Sequence, residues 1–500
     1  MTKNIKIDNR SYKPEDLYEL IAGHPIIELS DSAIESITNC RNYLDAKLEK
    51  EDSLFYGINT GFGALCDVEI DKSQNEELQE NLVKSHACGV GEEVPDSVVR
   101  LMIYLKLVSL SKGNSAISLE TVNKLIEIYN RGLLPVIYRQ GSLGASGDLA
   151  PLAHMSLPLI GEGEVRFKGK KYDSADLMKE LGIKPIKLKA KEGLALLNGT
   201  QFMLAYASNI YLKAARLAPI IDAISALSSV AYEISPDPFN HLVHSVRPYN
   251  GQIEVAKRLF KYLEYSSGKT KRTQIQDPYA FRCIPQVHGA SLDIVNYCGS
   301  LFTTEMNSVT DNPLVFQDED KILSGGNFHG QPLAMALDYL CIGLSEWGSI
   351  SERRTYKLLS GKRSLPVFLT EKSGLHSGFM IPQYTAASLV SANKQLCTPS
   401  SVDSIVSSNG QEDHVSMGGN AAVKCFKVLE NLENILAIEL LTSVRALQYK
   451  KELILHPALQ NIVDDFLSEI PFKEEDHVLY KEIHKAKDFL KKLQHENDLL

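Results

Sequence analysis

Apolar residues recur every three or four positions along most of the chain. Val423, Phe426, Leu429, Leu432, Leu436 and Leu440 form one such stripe, with Lys424, Lys427, Glu430 and Glu433 between them. That period gathers the apolar side chains on one face of an α-helix, and its continuation to about Leu447 predicts a helix of roughly 25 residues. The same pattern predicts helices over 75–88, 95–111, 118–131, 201–234, 288–307, 331–360 and 382–396. Alternation is rare. Its best instance, Gly161 to Tyr172, predicts a short hairpin around a Gly-Lys turn. From residue 471 onward the chain is charge-dense and reads as a solvated terminal helix.

These elements predict a mainly α fold, a long-helix bundle with few short strands. No low-complexity linker or internal repeat divides the 500 residues. The chain therefore reads as one continuous body, with an N-terminal region over about 1–200 and a long-helix region over 201–500. Glycine-rich, loop-forming stretches lie near 56–64, 141–148, 324–330 and 409–420 and hold most of the unusual residues. Such a distribution implies a site assembled from distant loops on a helical scaffold.

Composition narrows the partners. A hydrophobic content of 44% suffices for a large core, and 53 basic against 62 acidic residues leave a formal charge of −9. With no basic stripe, that balance argues against nucleic acid or an anionic membrane as partner. The eight cysteines lie far apart without a CxxC pair, as expected of reduced thiols in a cytosolic protein. Met1 to Arg10 lacks the apolar core of a signal peptide. The most apolar stretch, about Leu217 to Ile234, contains Pro219, Asp222 and Glu233 and is too polar for a membrane span. A cytoplasmic protein is expected.

The segment Gly141-Ser-Leu-Gly144-Ala145-Ser146-Gly147-Asp148-Leu-Ala-Pro151-Leu-Ala-His154 carries the strongest chemical signal. Read plainly, it is a glycine-rich turn capped by Asp148 before a helix. That reading leaves the glycines on both sides of Ala145-Ser146 unexplained. A chemical reading accounts for them. A turn that forces the Gly147 nitrogen against the Ala145 carbonyl can close a five-membered ring, and glycine suits the attacking position because it lacks a Cβ. Ser146 can then lose water across its Cα–Cβ bond, leaving an electron-poor exocyclic methylene.

This stretch resembles the signature of the superfamily of aromatic amino acid lyases that use 4-methylideneimidazole-5-one (MIO), and similar stretches recur from about residue 54 to 450. The resemblance implies a prosthetic group formed from Ala145, Ser146 and Gly147. In Tyr56-Gly-Ile-Asn-Thr-Gly61-Phe-Gly63 it implies that Tyr56 is the base removing a β-proton, which requires a phenol lowered from its usual pKa of about 10. His86 is implied to face the substrate ring, as in histidine- and tyrosine-acting members. Asn198, otherwise a helix cap with Gln201 reaching back, is implied to face the MIO and the substrate carboxylate.

Further along, Arg282 follows Tyr279 by three residues, on one face of a helix. Its planar guanidinium suits a bidentate carboxylate clamp. Tyr279 is implied to assist loss of the amine, and Gln276 to make a secondary contact. Arg353 and Arg354 are rivals for the clamp by residue type, but Ser351-Glu352-Arg353-Arg354 reads as an ion-paired helix face. Asn327 and Phe328 are implied to lie beside the MIO, and Met380 to wall the substrate pocket. Pro382 and Ala392 depart from the alanine and glutamate of the histidine-acting pattern. His329 has no second ligand at a characteristic spacing, so no metal is expected.

Gln411-Glu412-Asp413-His414 is closest to members acting on L-histidine, where the glutamate contacts the imidazole. A carboxylate can stabilise an imidazolium or orient a ring N–H. The resemblance thus implies conversion of L-histidine to trans-urocanate and ammonia by a homotetramer with sites shared between subunits. Tyrosine deamination, an aminomutase outcome and an inactive helical scaffold stand as alternatives. Whether the substrate amine or ring carbon bonds to the MIO is left open by the residues; the amine is favoured.

Overall fold

The computed structural model describes residues 4–50, 53–266 and 274–495. The chain divides into two units, each discontinuous in sequence. The first comprises Met1–Leu212, Gly299–Asp338 and Pro399–Val423, and the second Lys213–Cys298, Tyr339–Thr398 and Lys424–Leu500. They are not the continuous halves 1–200 and 201–500.

Long helices dominate, as the apolar period requires. They include Asn75–His86, Asp96–Ser111, Leu119–Asn130, Gln201–Ala231, Ile284–Met306, Gln331–Leu358, Met380–Leu396 and Gly418–Gln448. The last has 31 residues and begins before its apolar stripe. Its opening turns are Gly-Gly-Asn-Ala-Ala, which carry no large side chain for a period to register. Gln201–Ala231 is long and apolar enough to cross a membrane by length and composition, but 83% of its most apolar window is buried inside the protein, as in a core helix. The helices Asp31–Lys50 and Asn250–Ser266 were not marked by the sequence pattern.

Strands are short, of two to four residues. The expected hairpin forms from Glu164–Phe167 and Lys170–Asp173, with Lys168 and Gly169 both at positive φ in the turn, and Leu134–Pro135 adds a third strand. A parallel pair joins Asn4–Ile7 to Ile26–Leu29, and Leu314–Phe316 pairs with Lys321–Leu323. Neither pair shows in the sequence pattern, because segments of three or four residues are too short for alternation to register.

The terminal helix, Tyr480–His495, corrects the expectation of a solvated element. Ala486, Phe489, Leu490 and Leu493 are buried on one face between its lysines. Phe489 meets Phe466 of the helix Pro457–Glu469 edge-on, with ring centroids 5.3 Å apart. Charge density hid an amphipathic stripe.

The second unit is cross-tied by buried charge. Arg354 is fully buried and donates to Glu439 through Nε at 2.6 Å and Nη2 at 2.8 Å. Its Nη1 donates to His288 Nε2 at 3.2 Å, so His288 Nδ1 carries the proton donated to Asp222 Oδ1 at 2.7 Å. Burial pushes His288 down, consistent with a neutral ring. Asp222 also accepts from Arg258 Nε at 2.7 Å, and Glu439 from Ser228 Oγ at 2.6 Å. Both arginines are ion-paired, Arg354 as a buried structural residue with Glu439 and Arg353 with the neighbouring Glu352.

Removing one member of a buried pair strands its partner. Glu439→Gln should destabilise the protein by roughly 3 kcal/mol, read as a lowered urea midpoint. Replacing Arg354 and Glu439 together by apolar residues of similar volume should cost less than the single change.

Candidate active site

The triplet sits in the first unit, in the loop between the strand Tyr138–Gln140 and the helix Leu149–Ser156. The loop is compressed from two sides. Gly147 has φ +79°, and a Cβ there would lie 2.2 Å from the Gly199 carbonyl oxygen. Gly144 has φ +65°, and a Cβ there would lie 2.1 Å from Ser416 Oγ. No other residue type fits either place without moving backbone or a bonded hydroxyl.

Hydrogen bonds hold these surfaces together. Asp148 N donates to Gly199 O at 2.7 Å, Ser416 Oγ to Gly144 O at 3.0 Å, and Met417 N to Leu143 O at 2.8 Å. Leu143, Ala145, Val415 and Met417 pack as one apolar cluster. Asn198, 3% exposed, donates from Nδ2 to the Ser146 carbonyl at 2.9 Å. Asn198 follows the helix Glu192–Leu197 instead of capping the next one, and Gln201 turns away to donate to Thr310 Oγ1 at 3.1 Å. The capping arrangement expected from the sequence is replaced by contact with the triplet.

Asp148 departs from expectation in the same way. It occupies the N-cap position, yet its side chain makes no cap bond. It is fully buried, and its two oxygens accept from Ser142 Oγ at 2.8 Å and Met203 N at 3.0 Å. Burial pushes its carboxyl up to about 7, against the pull of these donors.

Three further expected residues lie in this unit. Tyr56 OH accepts from Gly63 N at 3.1 Å. The hydroxyl is not lowered: burial pushes it up and the charge of Glu412 adds to this, while the Gly63 N–H opposes both. His86 Nδ1 lies 2.8 Å from the Leu82 carbonyl, which can only accept, so Nδ1 bears the proton and Nε2 the lone pair. Burial lowers His86, and Glu412 raises it. Glu412 thus acts electrostatically on both Tyr56 and His86. One of its oxygens accepts from Ser407 Oγ at 2.9 Å. The short helical turns Gly63–Leu65 and Ser408–Gly410 pack together, bringing the tyrosine loop to the glutamate loop.

The 324–330 loop also belongs to this unit. Gly330 lies against Met203 and Ser416, the residue bonded to Gly144. Asn327 is exposed and donates to Val309 O at 3.4 Å, and Phe328 is half-buried. Among the described residues no group of three or more His, Cys, Asp or Glu side chains converges as for a metal ion. All eight cysteines are free thiols.

Gln276, Tyr279, Arg282 and Met380 belong to the second unit. Tyr279–Arg282 forms a single helical turn, and the Arg282 guanidinium lies 4.5 Å from the Tyr279 ring centroid, so the two share a face. Arg282 Nε is buried without a hydrogen-bond partner among the described residues, and Tyr279 is 70% exposed. Gln276 is exposed. Met380 lines a cavity of about 460 Å³ with Tyr356, Phe368, Gln383 and Tyr384. Pro382 lies in the first turn of the helix Met380–Leu396, where its missing N–H costs nothing.

The sequence profile of aromatic amino acid lyases matches residues 12–468. The chain belongs to this family. It is 46% identical over 491 residues to a histidine ammonia-lyase of Alkaliphilus oremlandii, covering 98% of this chain and 97% of the relative. Among solved lyase-family structures it is similar to the histidine ammonia-lyase of Trypanosoma cruzi, with TM-score 0.91, 41% identity and coverage of 99% and 95%. It is also similar to the tyrosine aminomutase of Streptomyces globisporus, with TM-score 0.92, 32% identity and coverage of 98% and 97%. Within this lyase site, sequence reasoning missed Ser416 and Ser407. Ser416 lies within the glycine-rich stretch 409–420 and Ser407 just before it, a signal of close backbone approach that does not say which hydroxyl makes it.

The raised Asp148 carboxyl has a pH consequence. Its folded value, about 7, exceeds its ordinary 3.8, so the folded state holds the proton more tightly. Its stabilising contribution is complete below about pH 4 and is lost as pH rises through about 7. Asp148→Asn, neutral at all pH, should therefore gain in unfolding midpoint relative to wild type across that window. A difference that stays constant with pH would contradict the assignment.

Proposed function

We propose that this lyase converts L-histidine to trans-urocanate and ammonia. The observation that carries the reading is Glu412: a carboxylate anchored by Ser407 acts on both His86 and Tyr56, in the unit that holds Ala145-Ser146-Gly147. An imidazole substrate gives that carboxylate a partner with an ionisable N–H, which a phenyl ring lacks. The names of the curated relative and of the Trypanosoma structure support the same substrate.

The triplet fits an MIO ring closed between the Gly147 nitrogen and the Ala145 carbonyl. Gly147 has no room for a Cβ, and the Ser146 carbonyl already has a donor in Asn198. Such a ring supplies an electron-poor alkene that acts as an electron sink, a reactivity that none of the twenty side chains offers. Around it, Asn198 stabilises negative charge on the Ser146 oxygen. Arg282, whose buried Nε has no partner among the described residues, binds the substrate carboxylate, and Gln276 and Asn327 make secondary polar contacts. Tyr56 removes the β-proton as the phenolate, the minor form that the Gly63 N–H stabilises, and Tyr279 assists departure of the amine. Glu412 and His86 orient the imidazole, Phe328 excludes water, and Met380 walls the pocket.

We further infer a homotetramer in the cytoplasm. Met335, Tyr339 and Ile342 are exposed at four- and three-residue spacing along Gln331–Leu358, an apolar stripe suited to another copy of the chain. Sedimentation equilibrium tests the assembly, and a monomer would contradict it.

An absorbance assay with L-histidine, L-tyrosine and L-phenylalanine tests the substrate. Urocanate from L-histidine is expected. Turnover of L-tyrosine alone would overturn the Glu412 argument, and a β-amino acid product would make the enzyme an aminomutase. Ser146→Ala should stay folded and lose at least ~10³-fold in activity.

A further inference from the structure

Lys106, in the helix Asp96–Ser111, is 1% exposed and plays no part in the chemistry above. Its Nζ donates to the Asn198 carbonyl at 2.7 Å. The Asn198 side chain in turn donates to the Ser146 carbonyl at 2.9 Å. Two hydrogen bonds thus connect an ammonium, through Asn198, to the oxygen on which negative charge accumulates when the triplet accepts an electron pair. Burying an ammonium is costly, and an apolar side chain could fill a helix interior at this position without that cost.

The geometry assigns Lys106 as a positioning residue for the deamination, which holds Asn198 aimed at the Ser146 carbonyl and places a dry positive charge behind it. The inference rests on the MIO reading of the triplet. The charge–carbonyl bond fixes the backbone of Asn198, so the amide cannot swing away between turnovers. In a water-excluded interior the ammonium field reaches the oxyanion with little screening. Three charged groups act on Lys106: Asp311 and Asp148 favour its protonated form, and Lys191 opposes it. Lys191 is itself paired with Asp311 at 2.7 Å, so much of the Asp311 charge is already engaged. Burial is the largest influence, and it brings Lys106 down to about 8. Lys106 therefore carries its charge at neutral pH and loses it in mildly alkaline solution.

The test compares Lys106→Met and Lys106→Arg with wild type, using intact mass, thermal midpoint, kcat and KM for L-histidine, and the pH profile of kcat. Intact mass reads ring formation directly, because closing and dehydrating the triplet removes two water molecules. Lys106→Met is expected to form the ring, with kcat reduced roughly ten- to hundredfold and KM little changed. That is a smaller loss than the ~10²–10³ of deleting an oxyanion donor outright. Lys106→Arg keeps charge and donor, so it should retain most of kcat. Wild-type kcat is expected to fall above about pH 8, and that fall should move upward by at least one pH unit in Lys106→Arg.

A folded, ring-bearing Lys106→Met with wild-type kcat overturns the inference. If Lys106→Met does not fold, an alkaline fall unchanged in ring-bearing Lys106→Arg overturns it instead. A wild-type mass without ring formation defeats the functional reading itself, and this inference with it.

Discussion

The Gly199 carbonyl pressed against Gly147 is the contact on which the rest of the site depends. It leaves no space for a Cβ, and it accepts the Asp148 N–H at 2.7 Å. On the other flank Ser416 does the same to Gly144. Positive φ costs glycine little, so the compression comes from packing rather than from backbone strain. Three segments far apart in sequence, 141–148, 198–203 and 415–418, meet with no spare volume. A side chain added at either glycine would collide with these neighbours and force the segments apart.

Dryness is the second constraint. Asp148, Lys106, Lys191 and Asp311 are all buried within the first unit. Such groups are destabilising unless paired or neutralised, and here both solutions appear: Lys191 and Asp311 pair, while Asp148 is pushed toward its neutral form. The same low dielectric that makes them costly strengthens each hydrogen bond to the triplet. Tyr56 shares the effect, since burial favours its protonated hydroxyl while the Gly63 N–H favours the phenolate.

Much of this was legible in the sequence, for physical reasons that differ by element. Apolar stripes of several turns, such as that in Gly418–Gln448, announce themselves because one buried face must repeat every 3.6 residues. The Gly144-to-Asp148 run was legible because its composition makes little sense as a simple turn. Where side chains aim was not legible. Asp148 and Asn198 both stand at helix ends and both read as caps, yet each turns to the triplet or its support, because tertiary partners outcompete local ones. The Tyr480–His495 stripe was masked by lysines that flank rather than interrupt it. The rise in Tyr56 follows from neighbours contributed by residues 63 and 412, which no local window contains.

The chemistry of the site stands or falls on whether folded packing around Gly144 and Gly147, without any outside agent, converts the triplet. The most direct test is the mass of the proteolytic peptide spanning residues 141–148, taken from protein synthesised in a purified translation system and either allowed to fold or held in denaturant throughout. Folded protein should yield a peptide lighter by two water molecules, and protein that never folded an unmodified one. An unmodified peptide from fully folded protein, or the lighter peptide in both, would contradict this.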